Sequence, residues 1–300
     1  MNKQGKISKI QHFSLGDGPG IRTTVFMQGC NLRCPWCHNP ETIFFGGSHL
    51  CYETKCSRCG LCGQICPQKA ISFEDGERVV NRELCGFCGV CESVCPQNAI
   101  AISGKWVSQE AVFHEIWKDA DFYEPSGGGV TFSGGEPLLQ ADFVGALAKQ
   151  CREKGIQTIV DTAGCVPYGN FEKVIPYTDT FFFDIKASDA AQFQNRCGGD
   201  FALILSNLKK LTAVASVTVR MPVIPAYNDN ADYMTACGQL LSECGVKRVD
   251  LIPFHRMGSA KYKALGNGYV YENTKPPESA AMCSFREIIE KFGIDCQVEN

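Results

Sequence analysis

The sequence predicts an α/β protein: about six strand–helix units that form a parallel sheet or barrel, with a small cysteine-rich module inserted near the start. Three observations carry this. Short apolar and β-branched runs alternate with longer helical segments, the pattern of a parallel sheet. A unit of four cysteines occurs twice, offset by 29 positions. The unusual polar residues fall where the predicted strands end, the side on which parallel β/α folds bind ligands.

In chain order, residues 21–26 read as the first strand and lead directly into a three-cysteine loop. After the insert, 108–120 read as helix, 129–132 as a short strand and 137–151 as helix. Further strands are predicted over 157–161, 180–185, 217–222 and 249–253, and helices over 200–214, 230–244 and 278–292. With 300 residues, 44% hydrophobic and 20% charged, the chain has room for one main domain, residues 1–47 and 105–300, and a small one, residues 48–104.

The insert is a duplication. Cys56, Cys59, Cys62 and Cys66, followed by Pro67, recur as Cys85, Cys88, Cys91 and Cys95, followed by Pro96. Each half is the C-x2-C-x2-C-x3-C-P run of bacterial ferredoxins, in which the fourth cysteine serves the other cluster. One 4Fe–4S cluster is therefore assigned to Cys56, Cys59, Cys62 and Cys95, and a second to Cys85, Cys88, Cys91 and Cys66. Zinc knuckles need neither the third cysteine nor the proline after the fourth. A disulfide scaffold needs an oxidising compartment.

Three more cysteines, Cys30, Cys34 and Cys37, stand in a C-x3-C-x2-C run with no fourth at a matching spacing. Three thiolates this close can hold three irons of a cubane, leaving the fourth iron open to a small molecule that takes an electron. Zinc with a further ligand such as His38 or His49, or a disulfide framework, is the alternative reading. Eight of the 19 cysteines lie outside these patterns and read mostly as small core residues. Among them Cys51, just ahead of the repeat, is either a spare thiol or a substitute ligand.

A net charge of −3 without a long basic run gives nucleic-acid binding no electrostatic support. The N-terminal residues show no apolar h-region, and no stretch is long and apolar enough to span a membrane. A cytoplasmic location is expected, where thiols stay reduced and dense cysteines bind metal.

The predicted strand ends gather the remaining candidates. The first strand ends at the cysteine loop and the second at Ser133-Gly134-Gly135-Glu136-Pro137. The third ends at Asp161-Thr162-Ala163-Gly164 and the fourth at Asp184-Ile185-Lys186. The fifth carries Arg220, and His255 follows the sixth. Singly, each has an ordinary reading: a surface pair for Asp184 and Lys186, a core or loop histidine for His255, a turn for 133–137. Two further segments join them: Asp17-Gly18-Pro19-Gly20-Ile21-Arg22, and His38-Asn39-Pro40-Glu41 closing the cysteine loop. With Ile252-Pro253-Phe254-His255, the set resembles the glycyl radical enzyme activating enzymes, a branch of the radical S-adenosylmethionine (SAM) superfamily that carries the C-x3-C-x2-C run. The resemblance covers the chain to about residue 265, and the insert matches the larger members.

The resemblance implies a partial (β/α)6 barrel with a ferredoxin-like insert, three 4Fe–4S clusters, and SAM chelating the open iron beside Cys37. It places Trp36 and His38 against the adenine, and Gly134, Gly135 and Glu136, after Ser133, at the methionine amino group. Lys186, Arg220 and His255 would face the SAM carboxylate and ribose, with Asp184 and Ile185 in the same run as Lys186. Asp161 and Thr162 resemble a monovalent-cation site. The implied reaction is one-electron cleavage of SAM to a 5′-deoxyadenosyl radical that takes hydrogen from a glycine Cα of a partner glycyl radical enzyme; the cofactors carry the hard chemistry. A flavodoxin or ferredoxin would donate electrons, with the insert clusters as relay, docking element or fold support. The rivals are an electron carrier and a radical SAM enzyme acting on another peptide or a small molecule.

Overall fold

The structure is a computed structural model describing residues 3–299. Its strands are β1 (Gln4–Ser14), β2 (Arg22–Met27), β3 (Ser48–Cys51), β4 (Ile71–Glu74), β5 (Glu77–Val80), β6 (Ile100–Ser103), β7 (Lys105–Ser108), β8 (Gly129–Gly134), β9 (Gln157–Thr162), β10 (Thr180–Asp184), β11 (Val217–Val223), β12 (Arg248–Pro253) and β13 (Asp295–Val298). Nine of them form one open sheet in the order β13-β12-β11-β10-β9-β8-β2-β1-β7. From β13 to β2 every neighbouring pair is parallel. β1 runs antiparallel to β2, and β7 antiparallel to β1.

The six predicted strands are all present, because each centres on apolar or β-branched residues covered on both faces; in β2 all six residues are buried. The sequence reading lacks β1, β7 and β13. β1 is mostly polar with several exposed positions, and β7 and β13 are four residues each, so none carries a strong period. Fully buried Phe132, Val160, Phe183, Val219 and Leu251 join Leu147, Leu208 and Leu241 of the covering helices in one continuous core.

The predicted helices appear as Gln109–Trp117, Ala141–Glu153, Phe201–Thr212, Ala231–Glu243 and Ser279–Glu290. Side-chain caps set three of their starts: Ser108 accepts from the Ala111 N–H at 3.1 Å, Asp200 from Leu203 at 3.0 Å and Asn230 from Tyr233 at 2.9 Å. The first helix stops early, and a separate short helix, Ala120–Ser126, contains Pro125 and ends on left-handed Gly127. Pro137–Gln140 is a 3-10 turn rather than α-helix, begun by a proline and capped by the Glu136 side chain.

Between β2 and β7, the antiparallel pairs β3–β6 and β4–β5 frame the two cysteine turns. Cys62, Ile71, Cys91, Ile100 and Ile102 form a small apolar cluster separate from the main core. The backbone repeats as the sequence does. Positive φ occurs at Arg58 and Phe87 (57° and 53°), Gly60 and Gly89 (77° and 80°), and Lys69 and Asn98 (49° and 46°). The turns aim amides at sulfur: the Ala70 N–H meets Cys66 Sγ at 3.3 Å and the Ala99 N–H meets Cys95 Sγ at 3.2 Å. Among the described residues, no helix is long and apolar enough to cross a membrane.

Candidate active site at the carboxyl ends of the strands

A cavity of about 760 Å³ opens at the carboxyl ends of the parallel strands. Cys30, Cys34, Trp36, Cys37 and His38 reach it from the loop after β2, and Ser133, Gly134 and Gly135 from the end of β8. Asp161 of β9, Asp184 and Lys186 at the end of β10, Arg220 of β11 and His255 after β12 complete the set. Of the predicted residues around it, Glu136, Thr162 and Ile185 do not line the cavity.

The glycines serve close approach of two chain segments. A Cβ on Gly135 would lie 2.1 Å from the Gly29 carbonyl oxygen, and Gly134 has φ +113° with Met27 N 2.4 Å from its would-be Cβ. The end of β8 can therefore lie directly on the chain entering the cysteine loop, where the Glu136 N–H donates to the Gly29 carbonyl at 2.8 Å.

Glu136 differs from the sequence reading, which turned its carboxylate toward an ammonium. The side chain is fully buried and accepts from Thr162 Oγ1 at 2.7 Å, the Ala163 N–H at 2.9 Å and the Leu138 N–H at 3.0 Å. Burial pushes its pKa up to about 7 against the pull of these three donors. Thr162 is likewise turned inward, its hydroxyl also accepting from the Gly164 N–H at 3.0 Å. Ile185 is buried and pairs its N–H with the Arg220 carbonyl at 3.0 Å, so its neighbours Asp184 and Lys186 share the opposite face of the strand end.

Five charges meet on the cavity wall. Asp161 Oδ2 accepts from Ser133 Oγ at 2.7 Å and lies 3.9 Å from Arg220 Nη1. Burial and the charge of Asp184 push Asp161 up to about 6. Lys186 Nζ pairs with Asp184 Oδ2 at 2.6 Å, and Asp184 and Cys34 hold it charged despite its burial. Arg220 pairs with Glu299 at 2.7 Å. Among the described residues, Asp161 Oδ1 and Arg220 Nε are buried without a hydrogen-bond partner. Both residues line the cavity, so these two atoms fit a site that takes a polar ligand.

Burial pushes the Cys30 and Cys37 thiols up to about 12, and the Lys186 charge pulls all three loop cysteines the other way. The Leu32 N–H lies 3.5 Å from Cys30 Sγ. Three thiols, an amide aimed at sulfur and a neighbouring cation suit thiolate ligands of a cluster. Among the described residues no three His, Cys, Asp or Glu converge on a single ion. Each thiolate of a cubane binds a different iron, so the cluster does not require such convergence.

The aromatic wall is built from both ends of the site. The His38 and His255 rings stack with centroids 3.9 Å apart, and His38 Nε2–H donates to the His255 carbonyl at 3.0 Å. Burial pushes His38 down to about 4, so the ring is neutral at pH 7. Trp36 is nearly buried and packs on Tyr227, centroids 4.9 Å apart. The sequence reading missed Glu299 and Lys261. Lys261 pairs with Glu41 at 2.6 Å and Asn39 Oδ1 at 2.7 Å, fastening the end of the cysteine loop. Neither contact leaves a local pattern, since the partners lie 79 or more positions apart.

In the insert, Cys56, Cys59, Cys62 and Cys95 line one small cavity, and Cys66, Cys85, Cys88 and Cys91 line another together with His49.

Residues 24–235 match the model of the Radical SAM superfamily. The (2S)-3-sulfopropanediol dehydratase activating enzyme of Klebsiella oxytoca is 40% identical over 98% of this chain and 96% of its own length. The benzylsuccinate synthase activating enzyme of Thauera aromatica is 40% identical over 92% and 86%. The pyruvate formate-lyase 2-activating enzyme of Escherichia coli is 32% identical over 98% and 92%. Among solved structures, TYW1 with a lysine-pyruvate adduct bound matches with a TM-score of 0.51 at 15% identity, over 90% of this chain and 73% of that one. Streptococcus suis SuiB bound to the precursor peptide SuiA matches with a TM-score of 0.53 at 12% identity, over 90% and 46%. These two bear on the fold alone. The chain belongs to the radical SAM superfamily and, within it, to the glycyl radical enzyme activating enzymes. Membership implies a 4Fe–4S cluster and SAM.

Proposed function

We propose that Cys30, Cys34 and Cys37 hold the SAM-binding cluster, and that the cavity orients SAM for hydrogen abstraction from a glycine of a partner glycyl radical enzyme. One observation carries the site assignment: the three thiols open on the same cavity as Asp161 and Arg220, whose Oδ1 and Nε are buried and, among the described residues, without a partner. These three thiolates would hold a cluster that, when reduced, would supply one electron for cleaving SAM into the species that takes the hydrogen.

The chain's own residues bind and orient. Arg220 and Lys186 present cations to the SAM carboxylate, with Glu299 and Asp184 fixing their positions. The Gly134 and Gly135 backbone faces the amino group, and the His38–His255 stack with Trp36 forms the adenine wall. Ser133 fixes Asp161, whose free oxygen suits a monovalent cation; Thr162 acts through Glu136. Residues 48–104 form a two-cluster ferredoxin-like insert in a main domain of residues 1–47 and 105–300. The two four-cysteine cavities support this, each holding one of the sets expected from the spacing. A flavodoxin or ferredoxin in the cytoplasm donates the electrons, with the insert clusters as relay, docking element or fold support.

The test is anaerobic reconstitution of the full chain, followed by SAM and a reductant. Release of 5′-deoxyadenosine and a glycyl-radical doublet in electron paramagnetic resonance (EPR) on adding the partner are expected. Deoxyadenosine without a doublet in any candidate partner would place the chain with another radical SAM activity.

A further inference from the structure

His49 sets both ring nitrogens against sulfur. Its Nε2 lies 3.4 Å from Cys91 Sγ and its Nδ1 3.3 Å from Cys51 Sγ. The ring is 1% exposed and both cysteines 8%, so the three groups meet in the interior of the insert. His49 and Cys51 are two apart on β3 and share a face, and His49 lines the cavity of Cys66, Cys85, Cys88 and Cys91. A cluster-bound thiolate only accepts hydrogen bonds. The ring hydrogen facing Cys91 therefore sits on Nε2, and Nδ1 accepts from the Cys51 thiol.

We infer that His49 is a positioning residue of the second insert cluster: its Nε2–H donates to the Cys91 sulfur and raises that cluster's reduction potential, while Cys51 fixes the tautomer. This rests on the reading that the four cysteines hold a 4Fe–4S cluster. A hydrogen bond to a ligand sulfur stabilises the reduced, more negative cluster more than the oxidised one, and so raises the potential. The first half of the repeat is built differently. The counterpart of Cys91 is Cys62, whose cavity is walled by Arg78. The duplication in sequence therefore yields two electronically unequal sites. Cys51, in this arrangement, is a second partner of the histidine and not a ligand.

The full chain is reconstituted anaerobically, iron and sulfide are counted, and the insert clusters are titrated by EPR at controlled potential. His49→Phe is expected to keep both insert clusters and lower the midpoint potential of one. His49→Gln, whose amide N–H takes the place of Nε2–H, is expected to restore most of that shift. Cys51→Ala is expected to keep full iron and produce a smaller downward shift in the same cluster. Unmoved potentials in His49→Phe, or in Cys51→Ala should His49→Phe lose iron, overturn the inference. So does loss of a cluster in Cys51→Ala, which makes Cys51 a ligand. A wild-type chain holding only the SAM-site cluster overturns the cluster assignment itself, a distinct failure visible before any variant is titrated.

Discussion

Thr162 Oγ1 donates to the Glu136 carboxylate at 2.7 Å, and this bond ties the end of β8 to the end of β9 beneath the candidate SAM cavity. The same carboxylate takes the N–H groups of Ala163 and Leu138, so the acid of the Ser-Gly-Gly-Glu-Pro run braces two adjacent loops. The glycines just before it are left to face the cavity with their backbone.

Glu136→Gln tests the brace. The amide has one acceptor oxygen where the carboxylate has two, and its NH2 group would oppose a buried donor. The loss is expected to be about 1–3 kcal/mol of stability, read by denaturant or thermal unfolding. A variant as stable as wild type would mean that the three bonds contribute nothing net.

The pH dependence of that difference follows from the raised Glu136 pKa. The folded chain holds a proton on Glu136 up to about pH 7, whereas the unfolded chain releases it near the ordinary glutamate value of 4.5. Between these values the folded state binds more protons, so the group's contribution grows as pH falls and is lost as pH rises through about 7. The gap between wild type and Glu136→Gln is therefore expected to widen as pH falls below about 7, by at most about 1.4 kcal/mol per unit. A gap that is flat with pH would show that folding leaves the Glu136 pKa where it is in the unfolded chain.

The strands that carry the site were readable because their residues obey a local rule. β2 and β8 to β12 are short, and each centres on apolar or β-branched residues. The Asp184–Lys186 pair is visible as two residues apart at one strand end, and the same rule applied to His49 and Cys51 pairs them on β3. The rest depends on tertiary placement. Glu299 comes to Arg220 only because β13 joins β12 at the sheet edge, and Lys261 comes to Glu41 through a helix that follows the last site strand. The inward turn of Glu136 needs the Thr162 hydroxyl and Ala163 amide of the neighbouring strand end, which no pattern around residue 136 encodes.

His255→Ala addresses the stacked pair. Removing the ring strips His38 of its 3.9 Å neighbour and opens the wall assigned to the adenine. An aromatic pair contributes about 0.5–1.5 kcal/mol beyond buried area. SAM binding is therefore expected to weaken roughly two- to tenfold by that range, seen as a higher KM for SAM in deoxyadenosine release with cluster content unchanged. Loss of iron with unchanged KM would make the stack a support of the cysteine loop and not of the ligand.

Cys59→Ser separates relay from scaffold in the insert. Cys59 is exposed at the first four-cysteine cavity, so serine fits without disturbing the main core, whose residues lie elsewhere. If the insert clusters pass electrons inward, the variant is slow with a flavodoxin or ferredoxin donor. A small chemical reductant that reaches the SAM-site cluster directly is expected to restore the rate, because the cavity lined by Cys30, Cys34 and Cys37 is unaltered. Equal rates with the protein donor would rule out the relay and leave docking or fold support as the insert's role. Slow turnover with both reductants, together with lower thermal stability, would identify the insert as fold support, since the defect would then lie in the positioning of the site and not in electron supply.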